Sequence, residues 1–138
     1  MFQKLFSTRI SAATTDILIL FMRVGTSLLM LTHGYPKLQR LFSEEGGNFP
    51  DPLGIGSLPS LVLVTFSEFL GSFMLILGLG TRFFSLALLF TMFVAAIIYH
   101  ASDPFSAKEP GLLYMILYIF LLFAGGGKYS IDHLINKK

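Results

Sequence analysis

The chain has 138 residues, of which 54% are hydrophobic and 13% charged, against roughly 25% charged in an ordinary soluble domain. That length allows one domain, residues 1–138, and a core of this size cannot hide so much apolar surface, so the lipid bilayer is the expected surrounding. A formal net charge of +2 excludes nucleic acid as a partner, and the absence of cysteine excludes disulfides, thiolate metal sites and thiol redox cycles within this chain.

A bilayer core about 30 Å thick needs about 20 residues of helix, and four segments qualify. The stretch from Met1 to Thr15 carries Lys4 and Arg9 without a long apolar core, so it reads as the lead-in to an uncleaved first span. That first span runs from Asp16 to Thr32 with Arg23 inside it. The connection from His33 to Ser57 follows. Its first half, through Phe42, is able to continue the helix past a kink at Pro36. Its second half, with Pro50, Pro52 and four glycines, is not helical, and Phe49, Leu53 and Ile55 suit a re-entrant or interface-hugging loop.

The second span, Leu58 to Leu79, contains Glu68 and a seam of small residues, Ser67, Gly71, Ser72 and Gly78, that lets helices approach closely. Gly78-Leu79-Gly80 turns the chain into the third span, Arg82 to Tyr99. Pro104 and Pro110 bracket the next connection, and a short fourth span from Gly111 to Ala124 stops at Gly125-Gly126-Gly127. These runs are helical because only helices and closed barrels satisfy the backbone in lipid. The expected fold is an all-α bundle of four transmembrane helices with a long extracytoplasmic loop between the first and second.

Lysine and arginine counts orient it. With both termini inside, Lys4, Arg9, Arg82, Lys128, Lys137 and Lys138 lie on the cytoplasmic side and Lys37, Arg40 and Lys108 opposite.

Intramembrane charges are the sharpest signal. A charge near mid-bilayer costs about 2.5–3.5 kcal/mol on insertion scales and normally has a partner. Arg23 sits about 10 Å from one face and Glu68 about 15 Å from the other at 1.5 Å per residue, so antiparallel neighbours are able to pair them. Such a pair serves either the structure or a ligand. A second cluster gathers on the outer side: His33, Tyr35 and Lys37, then Tyr99, His100 and Asp103, then Lys108 and Glu109. Arg23, Ser27, Met30, Gly34 and Lys37 share one helical stripe leading inward. Tyr114 and Tyr118, four residues apart, face either this pocket or the core. Two histidines without a third ligand at helical spacing argue against a metal.

The chain resembles the DoxX family of membrane proteins. The resemblance rests on Arg23, HGYPKL (His33 to Leu38), FPDPLGIG (Phe49 to Gly56), EFLGSFMLILGLGTR (Glu68 to Arg82), HASDPF (His100 to Phe105), Lys108-Glu109 and GGGKYSID (Gly125 to Asp132). It implies a four-helix bundle in the bacterial cytoplasmic membrane, similar to the small subunit of thiosulfate:quinone oxidoreductase. The polar positions it recurs on are Arg23, His33, Lys37, Glu68, His100 and Asp103, with no catalytic residue among them that carries over. The leading expectation is a membrane subunit of a redox system that binds a quinone, with a partner protein supplying electrons. The alternatives are a non-catalytic assembly factor, and a small-molecule carrier that would have to be a homo-oligomer.

Overall fold

The computed structural model describes residues 5–137, so Lys4 and Lys138 of the orientation count lie outside the described residues. Four helices are long and apolar enough to cross a membrane. Helix α1 is Ala12–Leu41, α2 is Ser57–Leu77, α3 is Thr81–Tyr99 and α4 is Phe105–Ala124. A short helix, α5, Ile131–Asn136, follows. The helices run alternately up and down, with α1 packed on α2, α2 on α3, α3 on α4, and α4 closing against α1.

Helix α1 starts where the Ser11 side chain accepts from the Thr14 amide. It continues unbroken through Pro36 to Leu41. Thirty residues span about 45 Å, half again the hydrocarbon thickness. The extension beyond Thr32 therefore carries Lys37 and Arg40 on a helix rather than a loop. Helix α4 also starts earlier than its hydropathy suggests. It begins at Phe105, and Pro110 lies within it instead of before it. A proline so near a helix start removes only one hydrogen bond, which the packed helix tolerates.

The bundle centre is a small apolar layer of Met30, Leu75, Leu88, Met92, Tyr118 and Leu121. Most other large apolar side chains point outward. Phe21, Phe73, Phe83, Phe90 and Phe123 are exposed, and only 11% of the apolar window of α4 is buried. A soluble protein would have to cover that surface; lipid covers it here.

Two close approaches set the register of α1 against α2. A Cβ on Gly34 would lie 2.7 Å from the Glu68 carbonyl carbon, and a Cβ on Gly78 would lie 1.6 Å from Arg23 Nη1. Gly34 is thus level with Glu68, and Arg23 with Gly78. Ser67 and Thr91 join α2 to α3 through their hydroxyls at 2.7 Å.

At the end of the bundle where α1 begins and α4 ends, the segment after α4 folds back and locks three helices together. Gly125 and Gly127 turn it with φ of 72° and 71°. Arg23 Nη2 donates to the Tyr129 carbonyl at 2.6 Å. The Asp132 amide donates to the Gly78 carbonyl at 2.9 Å. The Asp132 carboxylate accepts from the amides of Gly80 at 2.7 Å and Thr81 at 2.8 Å, capping α3 from fifty residues away. Burial works against the charge of Asp132, but the Thr81 and Gly80 amides and the nearby Arg23 together hold its carboxyl below the usual range.

Candidate functional site

Arg23 and Glu68 do not pair. The register just described puts them ten residues apart along the α1–α2 seam, about 15 Å at 1.5 Å per residue. The expectation failed because both depths were counted from assumed span ends, and α1 is far longer than its apolar run. Arg23 is buried and belongs to the lock at the terminal end. Its Nε and Nη1 find no acceptor among the described residues.

Glu68 pairs instead with Lys37, Nζ to Oε2. The Glu68 side chain is only 4% exposed and that of Lys37 26%. Two local features deliver them. Lys37 lies one turn beyond Gly34 on α1, on the face where the absent Cβ lets α2 approach. Glu68 lies within a π-helical stretch of α2, Phe66–Gly71. A π-turn inserts a residue relative to the α-helical ladder and re-aims the side chains around it, and such turns recur at functional sites. Helix α3 has its own π-helical stretch at the same end of the bundle, Val94–Tyr99, with the His100 amide donating to the Ala95 carbonyl five residues back.

Between these two stretches lies a cavity of about 490 Å³, within the size range of small-molecule sites. Lys37, Glu68, Ser67 and Thr91 supply polar groups, while Leu63, Val64, Phe66, Ala87, Phe90, Val94 and Ala95 form apolar walls. Leu63, Phe66 and Phe90 are themselves exposed on the lipid-facing surface, so the slot opens sideways between α2 and α3. Phe49, Pro50, Pro52, Leu53 and Ile55 roof it. The roof is held by Asp51, whose carboxylate accepts from the Ile55 amide at 2.9 Å, the Gly56 amide at 2.7 Å and the Ser60 hydroxyl at 2.8 Å. The Gly56 amide is the largest influence holding the Asp51 carboxyl below its usual range, with Ser60 and Ile55 adding to it against a smaller opposing effect of burial.

The residues of the outer cluster do not all line one cavity. Tyr99 and His100 line the slot with Lys37. His100 Nδ1 lies 2.6 Å from Asp103 Oδ2, and the Tyr99 ring packs edge-on to the imidazole at 4.7 Å. His33 turns the other way and packs edge-on against Tyr114 at 6.0 Å. Tyr35 is exposed and accepts from Gln39. Lys108 donates to the Ala101 carbonyl, and Glu109 is exposed. Tyr114 stacks on Tyr118 in the core layer.

Sequence reasoning missed Thr91, Asp51 and Asp132. Nothing about Thr91 marks it beforehand. Asp51 sits between two prolines and before Gly54, where a turn-binding carboxylate is foreseeable. Asp132 follows Ser130 in a helix-start pattern, yet the helix it caps is a distant one.

The DoxX family profile matches residues 18–101. Two uncharacterized proteins of Haemophilus influenzae are similar to this chain. One is 30% identical over 126 residues, covering 86% of this chain and 90% of the relative. The other is 32% identical over 106 residues, covering 72% and 69%. No solved structure matches. With four membrane-spanning helices and a match over more than half its length, the chain belongs to the DoxX family of membrane proteins.

Proposed function

We propose that this chain is the membrane subunit of a quinone-linked redox system and that it binds the quinone in the slot between α2 and α3. The observation that carries the reading is the Lys37–Glu68 ion pair at the inner wall of an otherwise apolar slot that opens toward lipid. A quinone is an apolar tail with carbonyl oxygens at one end. The Lys37 ammonium is a donor for such a carbonyl, and the Ser67–Thr91 hydroxyl pair lies in the same wall. The tail would leave between Leu63, Phe66 and Phe90 into the bilayer. His100, fixed through Nδ1 by Asp103, keeps Nε2 for proton exchange between the slot and water. Reduction of a quinone to a quinol consumes two electrons and two protons. In this reading a partner protein supplies the electrons.

The same reading places the slot on the extracytoplasmic side of a bacterial cytoplasmic membrane, with both termini in the cytoplasm. Arg9, Arg82, Lys128 and Lys137 at the terminal end, against Lys37, Arg40 and Lys108 at the other, support that orientation.

The test is equilibrium binding of a short-tailed quinone to the purified protein in neutral detergent. Lys37→Met removes the donor, and Ala87→Phe fills the slot from α3. Each is expected to weaken binding at least tenfold, about 1.4 kcal/mol. Unchanged binding in both variants, or no saturable binding by the unmodified protein, would refute the proposal.

A further inference from the structure

The terminal end of the bundle holds a second cavity, of about 810 Å³, between the start of α3, the glycine turn after α4, and α5. Cations from three different elements line it: Arg82 from the first turn of α3, Lys128 from the glycine turn, and Lys137 after α5. All three are exposed. Arg82 reaches across to the end of α4, where its Nη2 lies 3.4 Å from the Phe123 carbonyl, a long contact that leaves most of its five donors uncommitted.

Two acids share the wall, Asp16 and Asp132, and each accepts backbone amides. Asp132 accepts the amides of Gly80 and Thr81, and Asp16 Oδ1 accepts the Lys128 amide at 3.1 Å. Arg23 acts electrostatically on Asp132 as well. The acids therefore answer backbone donors and the buried arginine, while among the described residues none of the three peripheral cations forms an ion pair.

The position of the cleft selects its ligand. It sits where α3 begins and α4 ends, at the depth of the lipid headgroups. The exposed Phe83 lines it, and Phe123, Leu134 and Ile135, next in sequence to lining residues, are exposed as well. Leu134 and Ile135 lie on α5 between the lining residues His133 and Asn136, so that helix exposes apolar side chains as well as lining the basic cleft. Cationic donors at headgroup depth with apolar groups around them match an amphiphile with an anionic head. A free anion would make no use of the apolar surroundings.

We infer that this cleft binds the phosphodiester headgroup of an anionic phospholipid, with Arg82, Lys128 and Lys137 as its cationic contacts. Arg82 supplies the planar fork that suits a phosphate, and the two lysines supply point charges. The site lies at the opposite end of the bundle from the quinone slot and stands or falls independently of it.

The experiment uses the full chain in neutral detergent. Its thermal unfolding midpoint and its lipid retention in native mass spectrometry are measured with added phosphatidylglycerol, phosphatidylcholine or inorganic phosphate. Phosphatidylglycerol is expected to raise the midpoint and remain bound; phosphatidylcholine and phosphate are expected to do neither. Each cation replaced by glutamine should lower the apparent affinity about fivefold, from roughly 1 kcal/mol per basic residue near an anionic surface. Lys108→Gln, at the other end, should leave it unchanged. Because Arg82 also touches α4, the Lys128→Gln, Lys137→Gln double variant is the decisive one, expected to lose about 25-fold from the same estimate. An unmodified protein that treats the two lipids alike, a double variant that binds phosphatidylglycerol as before, or phosphate alone reproducing the shift would each overturn the inference.

Discussion

Gly78→Ala tests whether Arg23 is part of the framework. Gly78 has φ of 70°, and a Cβ there would lie 1.6 Å from Arg23 Nη1 and 2.5 Å from the Ser130 Cβ. Two penalties follow. A left-handed backbone costs an alanine about 1–2 kcal/mol. The guanidinium must also move, giving up its hydrogen bond to the Tyr129 carbonyl, and a hydrogen bond to a charged group contributes about 1.5–3 kcal/mol. The expected loss is the sum, about 2.5–5 kcal/mol. Gly54→Ala supplies the control, because Gly54 has nearly the same φ, 68°, but nothing within 4 Å of its Cβ position; it should lose only the backbone share, about 1–2 kcal/mol. Denaturant unfolding in detergent, followed by far-ultraviolet circular dichroism, compares the two. In an Arg23→Met background the Gly78→Ala penalty should shrink, with the Ser130 contact keeping it above the Gly54 value. Equal losses for Gly78→Ala and Gly54→Ala would refute the placement of Arg23 in the lock and return it to the list of ligand-binding candidates.

Lys37→Met leaves Glu68 buried without its counter-charge. Breaking a fully buried pair costs about 3–5 kcal/mol, and solvent reaching the partly exposed Lys37 reduces this to about 2 kcal/mol. Adding Glu68→Gln should recover at least half, and a double-mutant cycle with no coupling between the two would dispose of the ion pair. The Asp51 roof makes a pH prediction. The folded carboxyl lies below its ordinary value, so the stabilisation is present in full above the unfolded value of about 3.9. It is lost as pH falls below that through the lower folded value. Hydrogen exchange of the Ile55 and Gly56 amides, corrected for intrinsic rates, should therefore stay slow at pH 5 and speed up as the pH is lowered progressively below about 3.9; protection unchanged over that whole acid range would contradict the role of the carboxylate.

Much of this molecule is legible in its residues because lipid imposes few choices. A backbone without water must be helical, so the apolar runs alone define four spans, and Gly78 to Gly80 and Gly125 to Gly127 mark two of their ends. The π-helical stretches are not legible, since no residue pattern in Phe66–Gly71 or Val94–Tyr99 differs from ordinary helix. The outer cluster was legible as a set of residues but not as a shape. Lys37 and His100 line the slot, while His33, one residue before Gly34 and so about 100° around the helix, turns to Tyr114.

Composition and hydropathy by themselves determined the all-helical fold, its four spans, and the fact that Arg23 and Glu68 each needed compensation. Only the tertiary structure decided how each is compensated. Span ends read from hydropathy carry an error of several residues, and each residue moves a side chain about 1.5 Å along the axis, so depth alone cannot choose between partners three turns apart. The choice was made by where two helices touch most closely, at Gly34 and Gly78. Those contacts assign Arg23 to the chain end that folds back over it and Glu68 to Lys37, at the wall of the slot.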